Sequence, residues 1–153
     1  DSVVVGRGAR ALSPSEAARF VVEAVRRAAG GDAAMIGATT FGAGLPAGDV
    51  PRHAFDACVR FDGPLFAATV DGDWLLRLQA RCNQGAATPL AERGGENLVF
   101  SAAGPITAGR RYRLVTSDWS ARQATRYFGP DAPAFTEVPG VTLKAAALAA
   151  LQP

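Results

Sequence analysis

The residues of this chain with the widest chemical repertoire are two cysteines and one histidine, which can act as nucleophiles, bases or metal ligands. They are Cys58, Cys82 and His53. Cys58 follows His53 by five residues, and on a helix this spacing turns the two side chains away from each other, so the pattern disfavours a cysteine–histidine catalytic pair. The set is also too small for a zinc site or a disulfide scaffold. We predict that His53 is a surface residue of a short helix and that both cysteines are buried free thiols, with a disulfide between them as the alternative.

Two carboxylates, Asp71 and Asp73, are close enough in sequence to suggest acid–base chemistry. They flank Gly72 in what the sequence predicts to be a turn before a helix, where carboxylates commonly cap the first backbone N–H groups. We therefore interpret both as capping residues. The sequence contains neither a phosphate-binding P-loop nor a GxSxG nucleophile elbow, so no catalytic residue is assigned.

The glycine-rich segment 37–44 is the one local pattern that indicates a binding site. It follows a short apolar run at 33–36, which predicts a buried strand. Ligand sites of α/β proteins lie preferentially at the carboxyl ends of strands. The segment is therefore a candidate ligand-binding loop.

A helix that begins after Ser13 is the most clearly predicted element among those that must support this loop. Ser13 can cap the helix, Pro14 suits its first position, and Glu16 completes a capping box. Apolar residues then recur at helical spacing as far as Ala28, and the Gly30-Gly31 pair predicts the end of the helix.

The rest of the chain alternates between predicted strands and predicted helices, which indicates a mixed α/β (α+β) domain spanning residues 1–153. Strands are predicted at 3–5, 33–36, 65–70, 98–101 and 112–116. Further helices are predicted at 51–58, at 74–82, from Asp118 or Ser120 toward Tyr127, and at 141–151. Residues 85–96 are polar and glycine-rich, which predicts an exposed loop.

Composition excludes several classes of protein. The 153 residues are 48% hydrophobic and 20% charged, with a formal net charge of +2, which is typical of a globular domain and argues against disorder and against a nucleic-acid-binding protein. No apolar run approaches the roughly 20 residues that span a bilayer. The chain begins at Asp1 without a leader, which suggests a domain of a longer protein or a processed product.

The segment from Asp32 to Leu75 resembles the C-terminal domain of 5'-nucleotidases and related sugar-nucleotide hydrolases. In that family a strand runs into an Asn-x-Gly-Gly-x-Arg loop, followed by Leu-Pro-x-Gly, a short helix, a Pro-Phe-Gly turn, a strand, a Thr-Gly pair and a helix. The corresponding residues here are 34–36, Leu45-Pro46-Ala47-Gly48, Arg60-Phe61-Asp62, Asp71-Gly72 and Trp74-Leu75. With further matches at Val5-Gly6-Arg7 and at 112–119, the resemblance covers about two thirds of the chain.

The departures from the family pattern concern the residues that meet the ligand. Gly42 stands where the family has the loop arginine, and Gly37 stands where it has asparagine. Glycine cannot supply the bidentate grip of a guanidinium, so the ligand class is open to change. Arg60, Arg52 and Arg122 are the candidates to substitute for the missing cation.

Two aromatic positions are retained, Phe61 in the Pro-Phe-Gly position and Trp119 after the last matching strand. In the family such a pair sandwiches the nucleotide base, since flat rings can stack on both of its faces. For each residue the alternative is packing in the core. The resemblance thus predicts a ligand site formed by Thr39, Thr40, Phe61 and Trp119.

The resemblance implies a β-sheet core flanked by helices and a role in recognising a nucleotide or nucleoside. Hydrolysis in the family needs a separate N-terminal metallophosphatase-like domain that holds two metal ions. We therefore expect no cofactor and no catalysis in this chain alone, an N-terminal domain of that kind as its partner, no nucleic-acid partner and no membrane span, and a periplasmic or secreted location. The alternative is a degenerate, non-enzymatic binding or interaction module that reuses the fold.

Overall fold

The structure of the protein is a computed structural model that describes residues 3–82 and 97–151. The predicted loop at 85–96 lies outside these ranges. The first helix, α1 (Pro14–Ala28), begins with the predicted capping box: the Ser13 hydroxyl accepts a hydrogen bond from the Glu16 amide at 3.2 Å, and the Glu16 carboxylate accepts one from the Ser13 amide at 2.9 Å. The helix ends before Gly30, whose φ of 65° suits glycine.

Seven strands form two sheets within the described ranges. The strands are β1 (Val4–Gly8), β2 (Ala33–Gly37), β3 (Gly48–Pro51), β4 (Pro64–Asp71), β5 (Leu98–Ala102), β6 (Arg111–Ser117) and β7 (Thr136–Thr142). The main sheet has the order β5-β2-β6-β4-β7, while β1 and β3 form a separate antiparallel pair. In the main sheet only β2 and β6 are parallel neighbours. This mixed α/β arrangement, with a sheet core flanked by helices, confirms the predicted fold class.

Besides α1, the described ranges contain five helices and one 3-10 turn. The helices are α2 (Arg52–Cys58), α3 (Gly72–Arg81), α4 (Asp118–Arg122), α5 (Ala124–Phe128) and α6 (Leu143–Leu151), and the 3-10 turn, Ala38–Thr40, follows β2 directly.

Helices cover both faces of the main sheet, and the buried strand β2 shows how. Ala34 and Ile36 belong to the core under α1, α2 and α6, whereas Ala33 and Met35 belong to the core under α3 and α5. Alternate residues of a strand point to opposite faces, so a strand with both faces covered is apolar throughout. Both cysteines are free and buried, one in each core, as predicted.

Three local predictions were wrong. Asp71 occupies the cap position of α3, but its side chain makes no capping hydrogen bond and instead forms an ion pair with Arg111 at 3.0 Å. The helix predicted toward Tyr127 is two short helices, because Gln123 leaves helical geometry with φ −117° and ψ 45°. The terminal helix begins at Leu143 rather than at 141, since residues 141 and 142 belong to β7.

Candidate functional site

A cavity of about 510 Å³ lies at one edge of the main sheet. Its walls come from the 3-10 turn after β2, the link between α2 and β4, the junction of β6 with α4, and the start of α6. The lining residues are Thr39, Thr40, Arg60, Phe61, Asp62, Gly63, Ser117, Asp118, Trp119 and Leu143. The four site residues predicted from the sequence are all among them.

Sheet topology explains why segments so distant in sequence meet here. Strands β2 and β6 are parallel neighbours, so both of their carboxyl ends lie at the same edge. Strand β4 runs antiparallel to β6, with Leu65 opposite Ser117, so the beginning of β4 lies at that edge as well. The site therefore lies where α/β folds place ligands, beyond the carboxyl ends of adjacent parallel strands.

The two predicted aromatic residues, Phe61 and Trp119, both face this cavity. Phe61 is 54% exposed and Trp119 is 60% exposed, whereas an aromatic side chain in a core would be almost completely covered. Core packing, the alternative for each of them, is therefore wrong. Both side chains therefore contribute exposed ring surface to the cavity lining.

Arg60 is the cation that lines the cavity, and its position accounts for the glycine at 42. The Arg60 guanidinium donates from Nη1 to the Thr39 carbonyl oxygen at 3.2 Å, and its Cζ lies 5.2 Å from the centroid of the Phe61 ring. A Cβ on Gly42 would lie 2.7 Å from the Arg60 Cδ and 2.7 Å from the Ala57 carbonyl oxygen. An arginine at 42 and this placement of Arg60 are therefore mutually exclusive.

The other two candidate arginines do not reach the cavity lining. Arg122 forms an ion pair with Asp118, with its Nε 2.6 Å from Oδ1, and Arg52 lies at the start of α2 and outside the lining. Of the three arginines considered from the sequence, Arg60 is the one that lines the cavity.

The carboxylates of the cavity lining have partners within the protein. Asp62 Oδ1 accepts hydrogen bonds from the backbone amides of Gly63 at 2.8 Å and of Lys144, in the first turn of α6, at 3.0 Å. Asp118 is paired with Arg122 as described. Arg60, in contrast, has no carboxylate partner within the described ranges. Among the residues that the structure describes, Arg60 is therefore a cation of the cavity lining without an ion pair.

The two threonines differ in their exposure. Thr39 is exposed, and Thr40 is buried with 7% exposure while still lining the cavity. The Thr40 carbonyl accepts a hydrogen bond from the Arg60 amide at 2.9 Å, but its hydroxyl has no hydrogen-bond partner among the described residues. Buried hydroxyls are normally satisfied, so Thr40 presents a polar group that a ligand could engage.

No arrangement of ligands for a metal is present in residues 3–82 and 97–151: no three side chains among His, Cys, Asp and Glu converge closely enough to hold an ion. His53 is exposed on α2, as predicted. The described part of the chain thus provides no fit for the metal pair of the resembling family, and no metal-dependent step is assigned to it. Within those same ranges, no helix combines the length and the apolar character needed to cross a bilayer.

Sequence reasoning did not single out Asp62, Asp118 or Leu143 as residues of the site. Asp62 and Asp118 each adjoin a predicted site residue, so proximity in sequence was an available signal. Leu143 reaches the cavity only because Asp62 and Gly63 hold the start of α6, where Gly63 O accepts a hydrogen bond from the Leu143 amide at 3.0 Å. No sequence signal indicates that contact.

No protein-family model matches the chain, and no curated protein sequence matches it significantly. Solved structures do match. A 5'-nucleotidase precursor from Thermus thermophilus superimposes with a TM-score of 0.70 at 12% identity, over 97% of this chain and 36% of its own. A 5'-nucleotidase from Candida albicans gives 0.71 at 8% identity, over 99% and 40%. The NAD nucleotidase of Haemophilus influenzae gives 0.61 at 16% identity, over 97% and 34%.

The chain therefore has a fold that occurs in 5'-nucleotidases. It spans between 34% and 40% of the length of these three proteins, and at such low identity the likeness concerns the fold. The similarity confirms the fold that the sequence resemblance implied.

Proposed function

We propose that this chain is the substrate-recognition domain of a 5'-nucleotidase-like metallophosphoesterase and that it binds the base of a nucleotide or nucleoside between Phe61 and Trp119. The observation that carries the proposal is the pair of exposed aromatic rings in one cavity beyond the carboxyl ends of parallel strands β2 and β6. The chain matches only part of each solved nucleotidase, and we propose that it corresponds to their C-terminal part.

Stacking supplies the affinity in this proposal. A base that stacks on an aromatic side chain gains about 1–3 kcal/mol, and two rings on one cavity can contact both faces of the same ligand. Leu143, which is 3% exposed, also lines the cavity. A degenerate, non-enzymatic module is the alternative, and it is favoured if both aromatic residues are buried. Phe61 and Trp119 are instead exposed in an open cavity, which supports recognition of a ligand.

Arg60 supplies the charge. Its guanidinium lines the cavity without an ion pair among the described residues, so a ligand with an anionic or strongly hydrogen-bond-accepting group gains a charge-assisted contact. Thr39 and Thr40 can donate or accept next to it. We therefore expect nucleotides to bind more tightly than the corresponding nucleosides.

A ligand screen tests the proposal. Isothermal titration calorimetry and thermal shift with nucleosides, nucleotides and free sugars should give binding for the first two classes, and Trp119→Ala should weaken it by about tenfold or more. Leu76→Ala is the matched control, because Leu76 is an exposed apolar residue of α3 outside the cavity. Absence of a response to every nucleoside and nucleotide would contradict recognition.

Catalysis is assigned to a separate N-terminal metallophosphatase-like domain of the intact protein, and an exported location is expected from the same resemblance. The purified chain, supplied with Mn²⁺ or Zn²⁺ and a nucleoside monophosphate, should release no phosphate above the rate without protein. Phosphate-releasing activity that co-purifies with the folded chain would contradict the assignment of catalysis to a separate domain. Cell fractionation of the full-length protein would test its location.

A further inference from the structure

Trp119 is largely exposed, yet its indole N–H has a hydrogen-bond partner within the protein. Its Nε1–H donates a hydrogen bond to the hydroxyl oxygen of Tyr127 at 2.9 Å, across eight residues. An exposed tryptophan without such a contact samples several rotamers, and ordering it on binding reduces affinity. The bond also occupies the only polar donor of the indole, so Trp119 presents a ring face and no hydrogen-bond donor to a ligand.

Tyr127 is itself anchored to the rest of the protein. Its carbonyl oxygen accepts a hydrogen bond from Arg81 Nη2 on α3 at 3.0 Å, and its amide donates to the Gln123 carbonyl at 3.2 Å. The next residue, Phe128, is buried with 2% exposure in the core under α3. The backbone that carries the Tyr127 ring is therefore anchored to α3 and to the core beneath it.

Gly37 makes room for this tyrosine. A Cβ at position 37 would lie 3.2 Å from Tyr127 Cε1 and 3.7 Å from its hydroxyl oxygen, which is a tight contact before any larger side chain is added. Position 37 is also where the resembling family has asparagine. The departure from the family pattern at Gly37 thus coincides with the space that the Tyr127 ring occupies.

We propose that Tyr127 is a positioning residue that pre-orients Trp119 as a stacking platform and that Gly37 is required for this arrangement. The inference rests on the proposed function, since it assigns a role to Tyr127 in ligand affinity. It predicts a site that selects flat rings by shape through Trp119, while polar selection comes from other residues of the lining, Arg60 and the two threonines.

Tyr127→Phe removes one oxygen atom and keeps the ring, so it tests the hydrogen bond with little risk to folding. In a ¹⁵N–¹H correlation spectrum the Trp119 indole N–H signal, assigned with Trp119→Phe, should move toward that of a water-exposed indole, and the Trp74 signal should stay in place. Affinity for a bound nucleotide should fall by about three- to tenfold. Tyr112→Phe is the matched control, because Tyr112 is the other tyrosine of the chain and its hydroxyl contacts Thr107 instead.

Gly37→Asn is a second, independent variant. It should displace the Tyr127 ring and reproduce both changes, the moved Trp119 signal and the weaker binding, while far-ultraviolet circular dichroism confirms that the chain remains folded. An unmoved Trp119 signal in Tyr127→Phe overturns the inference, and so does wild-type affinity in that variant when Trp119→Ala has lost binding; in that second case the proposed function stands. A wild-type chain that binds no nucleoside or nucleotide overturns the proposed function, and this inference fails with it.

Discussion

Gly42 and Arg60 pack so closely that a Cβ atom at position 42 would lie 2.7 Å from the Arg60 Cδ. The glycine at 42 and the position of Arg60 are therefore sterically linked. Two backbone hydrogen bonds join the loop after β2 to the end of α2 and the residues that follow it. The Gly42 amide donates to the Cys58 carbonyl oxygen at 3.1 Å, and the Arg60 amide donates to the Thr40 carbonyl oxygen at 2.9 Å.

Gly42→Ala should destabilise the fold by about 1–3 kcal/mol, because the added methyl group meets the Ala57 carbonyl oxygen as well as Arg60, and the backbone oxygen cannot move aside cheaply. Urea denaturation measures the change. Gly104→Ala is the control, since a Cβ there meets no described atom within 4 Å, and it should stay within about 0.5 kcal/mol of the wild type. Equal stability of the two variants would contradict the steric link.

Arg60→Gln should remove the preference for nucleotides over nucleosides. The wild type should bind a nucleoside monophosphate about tenfold more tightly than its nucleoside at low salt, because charge-assisted hydrogen bonds are strengthened by the ligand's negative charge. Calorimetric titration of matched ligand pairs measures the ratio. Arg52→Gln is the control, because Arg52 lies outside the cavity lining and should keep the preference. A ratio unchanged in Arg60→Gln would show that another group reads the anion.

Asp62→Ala should weaken the start of α6. The carboxylate satisfies the Lys144 amide in the first helical turn, and loss of such a capping acceptor costs about 1 kcal/mol, which corresponds to about 2–4 °C in the melting temperature of a domain of this size. Asp49→Ala is a suitable control. Asp49 pairs with Arg7 on the surface, with side chains 61% and 60% exposed, and exposed pairs contribute little. A melting temperature for Asp62→Ala equal to that of the control would contradict the capping role.

Cys58 should be unreactive in the folded protein. Burial raises the pKa of the Cys58 thiol to about 11, so almost no thiolate forms at pH 8. In the unfolded chain the thiol ionises near its ordinary pKa of 9.0. Between about pH 9 and about pH 11 the unfolded state therefore binds fewer protons than the folded state. The free energy of unfolding should be unaffected below about pH 9 and should fall as pH rises from about 9 to about 11.

Thiol titration with an aromatic disulfide reagent checks the thiol prediction, with labelling of Cys58 expected only in denaturant. In Cys58→Ala the decline in unfolding free energy above about pH 9 should be smaller than in the wild type. Rapid labelling of Cys58 in the native state would contradict its burial.

The sequence by itself determined the elements whose causes lie within a few residues. The capping box of Ser13 and Glu16 defines the start of α1, because each partner is three residues from the other. The apolar run of β2 identifies a strand covered on both faces for a similarly local reason. The family resemblance, which depends on the order of motifs along the chain, identifies Phe61 and Trp119 as candidate site residues.

Only the tertiary structure decided the features whose partners lie far apart in sequence. Strand β7 contains Pro139 and Gly140, which are typical of a turn, yet it pairs as an edge strand with β4, where a shift in register from Pro64–Thr142 to Leu65–Val138 accommodates them. Asp71 lies directly opposite Arg111 on the neighbouring strand, so a cross-strand ion pair replaces the predicted cap.

The composition of the candidate site was likewise decided by the tertiary structure. Arg60 occupies the space left by Gly42, and the Tyr127 ring, whose hydroxyl accepts the Trp119 indole hydrogen bond, lies against Gly37. Local sequence patterns report the preferences of neighbouring residues, whereas packing of the sheet edge brings together groups that share no periodicity and no motif.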